Sequence, residues 1–106
     1  MNNQIFFNTL KNNKEKVQYL LKTFPKLRDN DSKLIANFWY FQTKDNFENM
    51  SARDFLQMFA ENELVNPETI RRLRQKLQEL DPELRGENYK RRHESAKYIK
   101  NNIKKL

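Results

Sequence analysis

Asn66-Pro67 and Asp81-Pro82 bracket the stretch that leaves this chain the fewest choices, NPETIRRLRQKLQELDPEL. Asn66 is a favourable N-cap, because its side-chain oxygen can accept from an orphan N–H of the first turn. Pro67 follows at the first helical position, where a missing N–H costs nothing. Glu68 lies on the favourable side of the helix macrodipole. Asp81-Pro82 ends the helix, since proline disfavours α geometry in the residue before it. Between these limits Ile70, Leu73, Leu77 and Leu80 recur at helical spacing and predict one apolar stripe. Glu68, Arg71, Arg72, Gln75 and Glu79 fall on the opposite side, and Arg74 and Lys76 flank the stripe. A helix docked by its leucines points arginines and a glutamine outward. Arg suits guanine edges, Gln suits adenine, and Lys or Arg suits phosphate. The competing reading is an ordinary amphipathic surface helix, so the context on either side decides.

At 106 residues the chain is at most one domain with an appended arm. Eight Phe, four Tyr and one Trp supply much of a small core. One Gly and three Pro are too few for a hairpin-rich β protein. Abundant Lys, Asn, Leu, Glu and Gln with little Val or Thr favour helix throughout. Without Cys there is no disulfide framework, thiolate metal site or Cys nucleophile. No apolar run is long enough to cross a bilayer, and MNNQIFFNTL lacks the basic and apolar regions of a signal peptide. The expectation is a cytoplasmic protein without a membrane partner, in the host cytoplasm if phage-encoded.

Charge is unevenly placed. Residues 1–30 carry six basic and two acidic residues, a net +4; 31–66 carry three and six, a net −3; 67–106 carry twelve and six, a net +6. A basic C-terminal portion beside an acidic middle fits a polyanion-facing side on a neutral scaffold. Solubility alone also accounts for a net positive charge.

Along the chain, residues 3–24 read as a packing helix, weakened at Asn12-Asn13 into what could be two shorter ones and ended by Pro25. KLRDND over 26–31 is a polar connection whose acids suit capping better than metal binding, with Asp31 the favoured cap. SKLIANFWYFQT over 32–43 is apolar nearly all round, which predicts the core helix. After a loop over 44–50, Ser51 caps a helix to about Asn62 with Phe55, Leu56 and Phe59 on its buried side. After Gly86, residues 87–104 read as a last helix rich in Lys and Arg.

Two short helices joined by about four residues, the second with basic outer positions, match a helix-turn-helix. The expected fold is all-α: an N-terminal packing helix over 1–30, a tri-helical helix-turn-helix core over 31–85, and a basic C-terminal helical arm over 86–106. Lys90, Arg91 and Arg92 would run along a phosphate backbone.

LLKTFPKLRDNDSKLIANFW, MSARDFLQMF, LVNPETIRRLRQKLQELDPELRG and YKRR together resemble a group of small proteins encoded in phages and prophages. These are largely uncharacterised and are described as helix-turn-helix or winged-helix DNA-binding proteins. The resemblance spans roughly residues 17–92 and is strongest over PETIRRLRQKLQELDPELRG. It implies a DNA-facing set of Arg71, Arg72, Arg74, Gln75 and Lys76, and a setting in phage gene regulation. No alternating strand pair follows the helix, so a β-wing is not expected.

Catalytic constellations are missing from the sequence. His93 is the lone histidine, Ser32, Ser51 and Ser95 lack a GxSxG context, and one glycine makes no phosphate loop. The expectation is a non-enzymatic protein with no cofactor and no metal that binds double-stranded DNA. The alternative is a protein-interaction module whose basic face meets an acidic surface of a host or phage enzyme.

Overall fold

The computed structural model describes residues 3–43 and 48–92. Their regular structure is helical: α1 (Asn3–Thr9), α2 (Asn13–Thr23), α3 (Asp31–Thr43), α4 (Ala52–Ala60) and α5 (Pro67–Leu80), with 3-10 turns at Pro25–Asp29 and Pro82–Leu84. A further helical stretch covers 87–92. Among the described residues no helix is long and apolar enough to cross a membrane.

The N-terminal segment divides where its two asparagines stand. Asn12 is extended, and its side chain accepts from the Glu15 N–H at 2.8 Å. Glu15 in turn accepts from the Lys11 N–H at 3.0 Å, so two orphan donors are satisfied at one break. The break lets α1 fold onto α3. Phe7 then meets the Phe38 and Phe41 rings at centroid distances of 5.1 and 5.4 Å, and Asn8 donates to the Phe41 carbonyl at 2.9 Å.

α2 occupies the middle of the core. It packs against α1, α3, α5 and both 3-10 turns. Val17, Leu20 and Leu21 are fully buried among Leu34, Phe38, Ile70, Leu77 and Leu84. The three helices that build the core are therefore α2, α3 and α5, where the sequence pattern suggested α3, α4 and α5. Part of the expected N-terminal packing helix is instead the element around which the others gather.

α3 begins at Asp31, the residue expected to cap it, one residue earlier than expected. The Asn30 side chain accepts from the Lys33 N–H at 3.0 Å, so Asn30 takes the capping role expected of Asp31. α3 is also not buried all round. Leu34, Phe38 and Phe41 face inward, Ile35 and Trp39 are half-buried, and Ala36 and Tyr40 are exposed.

α4 starts at the expected cap, with the Ser51 hydroxyl accepting from the Asp54 N–H at 3.1 Å. Its apolar side does not reach the core, contrary to expectation. No residue of α4 is buried. Phe55 and Phe59 meet the Trp39 ring edge-on, with centroids 6.0 and 5.6 Å away. The link onward is tied to α3 instead: Gln42 bonds the Glu63 carbonyl and the Val65 N–H, and the Trp39 indole donates to the Val65 carbonyl at 2.7 Å. Asn62 adopts the left-handed region at φ 61°, a conformation asparagine tolerates better than most residues.

α5 keeps its expected ends. Asn66 accepts from the Glu68 N–H, Pro67 opens the helix, and Asp81 ends it by accepting from the Glu83 N–H to start the next turn. Its rotation about its own axis differs from the leucine stripe. The buried positions are Ile70, Arg74, Leu77 and Gln78, while Leu73 is half-buried and Leu80 remains 66% exposed. The cause is polar. Arg74 makes a two-pronged contact with Asp31, Nε and a terminal nitrogen each 2.8 Å from a carboxylate oxygen. Its other terminal nitrogen donates to Gln78, whose amide donates to the Arg28 and Leu84 carbonyls. With Arg74 and Gln78 turned inward to these partners, α5 is rotated about its axis and Leu80 lies in solvent.

The two registers make different predictions for stability. Arg74→Ala leaves Asp31 and Gln78 without their partner and is expected to cost about 3 kcal/mol. Leu77→Ala is expected to cost about 3 kcal/mol through an unfilled cavity. Leu80→Ala is expected to cost less than about 0.5 kcal/mol. Urea denaturation of the three variants checks this; a Leu80 variant as damaged as the Leu77 variant would restore the leucine-stripe register.

Candidate nucleic-acid interface

The outer face of α5 and the helical stretch over 87–92 are held side by side by two devices. The first is Asp29, whose carboxylate accepts from the Glu87 and Asn88 N–H groups at 3.1 Å each. An acid expected to cap a neighbour in sequence thus caps a helix start nearly sixty residues away, with a favourable charge at the positive end of the dipole. Gly86 permits this approach. A Cβ there would sit 2.2 Å from an Asp29 carboxylate oxygen. The second device is Arg85. It donates to the Gln78 and Glu79 carbonyls at 2.6 and 2.9 Å, satisfying the open end of α5. The same guanidinium lies 4.6 Å over the Tyr89 ring.

The eight expected contact residues divide into four groups. Arg71 and Arg72 point outward, as expected, and both are engaged by Glu68. Arg71 makes two contacts with its carboxylate, at 3.0 and 2.6 Å, and Arg72 one at 3.1 Å. The Arg71 hydrogen bond holds the Glu68 carboxyl below its ordinary pKa, and the same pairing raises that of Arg71. Gln75 and Lys76 are exposed. Arg74 does not point outward as expected: it is 5% exposed and its guanidinium is bound to Asp31. Lys90, Arg91 and Arg92 are exposed on the following helix.

Two polar cavities show which of these groups the fold brings together. One, of about 300 Å³, is lined by Arg74, Gln75, Glu79, Tyr89 and Arg92. It joins the outer face of α5 to the basic helix start. The other, of about 360 Å³, is lined by Arg28, Asp29, Asp31, Arg74, Asn88, Arg91 and Arg92. Arg92 borders both, and its Nε donates to the Asn88 carbonyl at 3.3 Å. The surface is not uniformly positive, because Glu68 and Glu79 stand among the cations of α5. Arg28, Asn88 and Tyr89 are the members that sequence reading missed. Arg28 sat in a stretch read only as a connection, and nothing local signals that it lies beside residue 91. Residues 93–104 of the expected last helix, His93 included, lie outside the described residues, as do 44–47 of the expected loop. Among the described residues no group of three or more His, Asp or Glu side chains is arranged to hold a metal ion.

Comparison with protein-family models, with curated proteins and with solved structures found no match.

The capping contact governs how firmly the basic helix start is presented. Asp29→Ala is expected to loosen 87–92 by about 1 kcal/mol, read as faster amide hydrogen exchange there with little change in α2. Gly86→Ala is expected to do the same by displacing the carboxylate. Unchanged exchange in both variants would show that the cap does not hold this helix.

Proposed function

We propose that this chain is a non-catalytic protein that binds double-stranded DNA across the outer face of α5 and the helix that follows it. The observation that supports the reading is the cavity shared by Gln75 and Arg92, since an amide suits an adenine edge and a guanidinium suits phosphate. Arg71, Arg72, Gln75 and Lys76 are the candidates for groove contacts. Lys90, Arg91 and Arg92 are the candidates for backbone contacts. Arg74 has no direct contact in this reading; it fixes the angle at which α5 is presented. A role in phage gene regulation rests on the sequence resemblance alone.

The pairing of Glu68 with Arg71 and Arg72 does not exclude the reading. Solvent-exposed ion pairs are worth roughly 0–1 kcal/mol, so a phosphate can replace the carboxylate at small cost. The pairing does give the protein a pH dependence. Glu68 has a lowered pKa, so its carboxylate persists to more acidic pH than that of a free glutamate. Once pH falls through that lowered value the acid is neutralised and both arginines lose their anion.

Fluorescence anisotropy with a labelled duplex of about 20 base pairs tests this. Affinity is expected to fall steeply with salt, roughly 0.9 log unit per phosphate contact for each tenfold rise in salt. Arg71→Ala with Gln75→Ala is expected to weaken binding and relax sequence preference. Glu68→Gln is expected to tighten binding and steepen the salt dependence by about one contact. Affinity indifferent to salt and to all three changes would refute DNA binding by this face.

A further inference from the structure

The polar cavity of about 360 Å³ beside the 87–92 helix is lined by four arginines, two aspartates and Asn88. Both aspartates are already engaged. Asp31 is held by the two-pronged contact with Arg74, and Asp29 accepts from the Glu87 and Asn88 N–H groups. Among the described residues no acid forms an ion pair with Arg28, Arg91 or Arg92. The lining therefore keeps a surplus of two positive charges. We propose that this cavity seats one phosphate group, with Arg28 and Arg91 as its ligands.

Three observations select that ligand. First, Arg28 is fixed before anything binds. Its Nε donates to the Leu21 carbonyl at 2.9 Å, and its own carbonyl accepts from Gln78 at 3.0 Å. Its terminal nitrogens keep their donors, and a guanidinium already oriented loses little freedom on binding. Second, the two cations reach one cavity from distant segments, Arg28 from the 25–29 turn and Arg91 from the 87–92 helix. One guanidinium fork satisfies a carboxylate, whereas a phosphate has the oxygens and the charge for two. Third, the cavity is placed for a strand. Arg91 is exposed, and Arg92 borders both this cavity and the one lined by Gln75. The N–H groups at the helix start take no part, because Asp29 holds them. For a duplex phosphate the inference rests on the DNA-binding reading above; for free phosphate it stands without it.

Inorganic phosphate titrated into the ¹⁵N-labelled full chain, near neutral pH and at constant ionic strength, tests the seat. The Asn88 amide signal is expected to shift and saturate, with a much weaker response to acetate. Arg28→Gln and Arg91→Gln are each expected to weaken phosphate binding about tenfold. Arg91 is exposed, so its variant decides the matter if the Arg28 variant does not fold. Lys26→Gln is expected to change nothing, since Lys26 is exposed near Arg28 but does not line the cavity. With a duplex, Arg28→Gln is expected to lower the salt slope by about 0.9 and leave sequence preference unchanged. A lowered slope assigns the seat to a strand phosphate. Phosphate binding without duplex binding assigns it to free phosphate and sinks the DNA reading instead. The proposal is overturned if phosphate leaves Asn88 unmoved and the duplex slope is the same in the Arg28 variant, an outcome in which DNA binding still stands. An equal response to acetate, or an equal loss in the Lys26 variant, also overturns it, since diffuse positive charge then suffices.

Discussion

The guanidinium of Arg74 reaches across 43 residues of chain to the carboxylate of Asp31 and fastens the two ends of the core together. Asp31 is the first residue of α3, and Arg74 sits near the middle of α5. The contact therefore fixes where α5 lies along α3 and which way it is turned. Gln78, one turn further on, extends the same network to the Arg28 and Leu84 carbonyls, satisfying groups that burial would otherwise leave unpaired. A hydrophobic stripe alone would tolerate rotation by a fraction of a turn. A two-pronged charged contact does not. Its geometry explains why Leu80, apolar and in phase with the other leucines, ends up in solvent.

That network also determines what the surface presents. Turning Arg74 inward brings Gln75 round beside Arg92, and the Asp29 cap and the Arg85 contacts hold the next helix close enough for the two to share a cavity. The positively charged face is thus a consequence of polar contacts made beneath it. Elsewhere, α4 has no buried residue, and an apolar groove opens between α3 and α4. Two surfaces of different chemistry result, one cationic and one apolar, each built from a different part of the helical frame.

Much of the helical pattern was legible along the chain. The Asn66 cap, the Pro67 start and the Asp81-Pro82 stop mark α5, and the Ser51 cap marks the start of α4, because caps and prolines act within a turn of where they stand. The asparagine pair at 12–13 marked the weak point at which the first helix divides. The candidate contact set was legible only in part. Arg71, Arg72, Gln75 and Lys76 lie outside, as periodicity implied. Arg74 does not, because its guanidinium pairs with the half-buried carboxylate of Asp31, and that acid is distant in sequence.

The sequence by itself determined that the described chain is helical, where α4 and α5 begin, where α5 ends, and that the C-terminal portion is basic, since propensity, capping and charge are properties of neighbouring residues. Tertiary structure alone decided that α2 rather than α4 fills the core, that α5 is rotated away from its leucine stripe, and that Asp29 caps a helix start at 87. Each of those outcomes depends on a contact between segments far apart in the chain, where no local periodicity can record which partner wins.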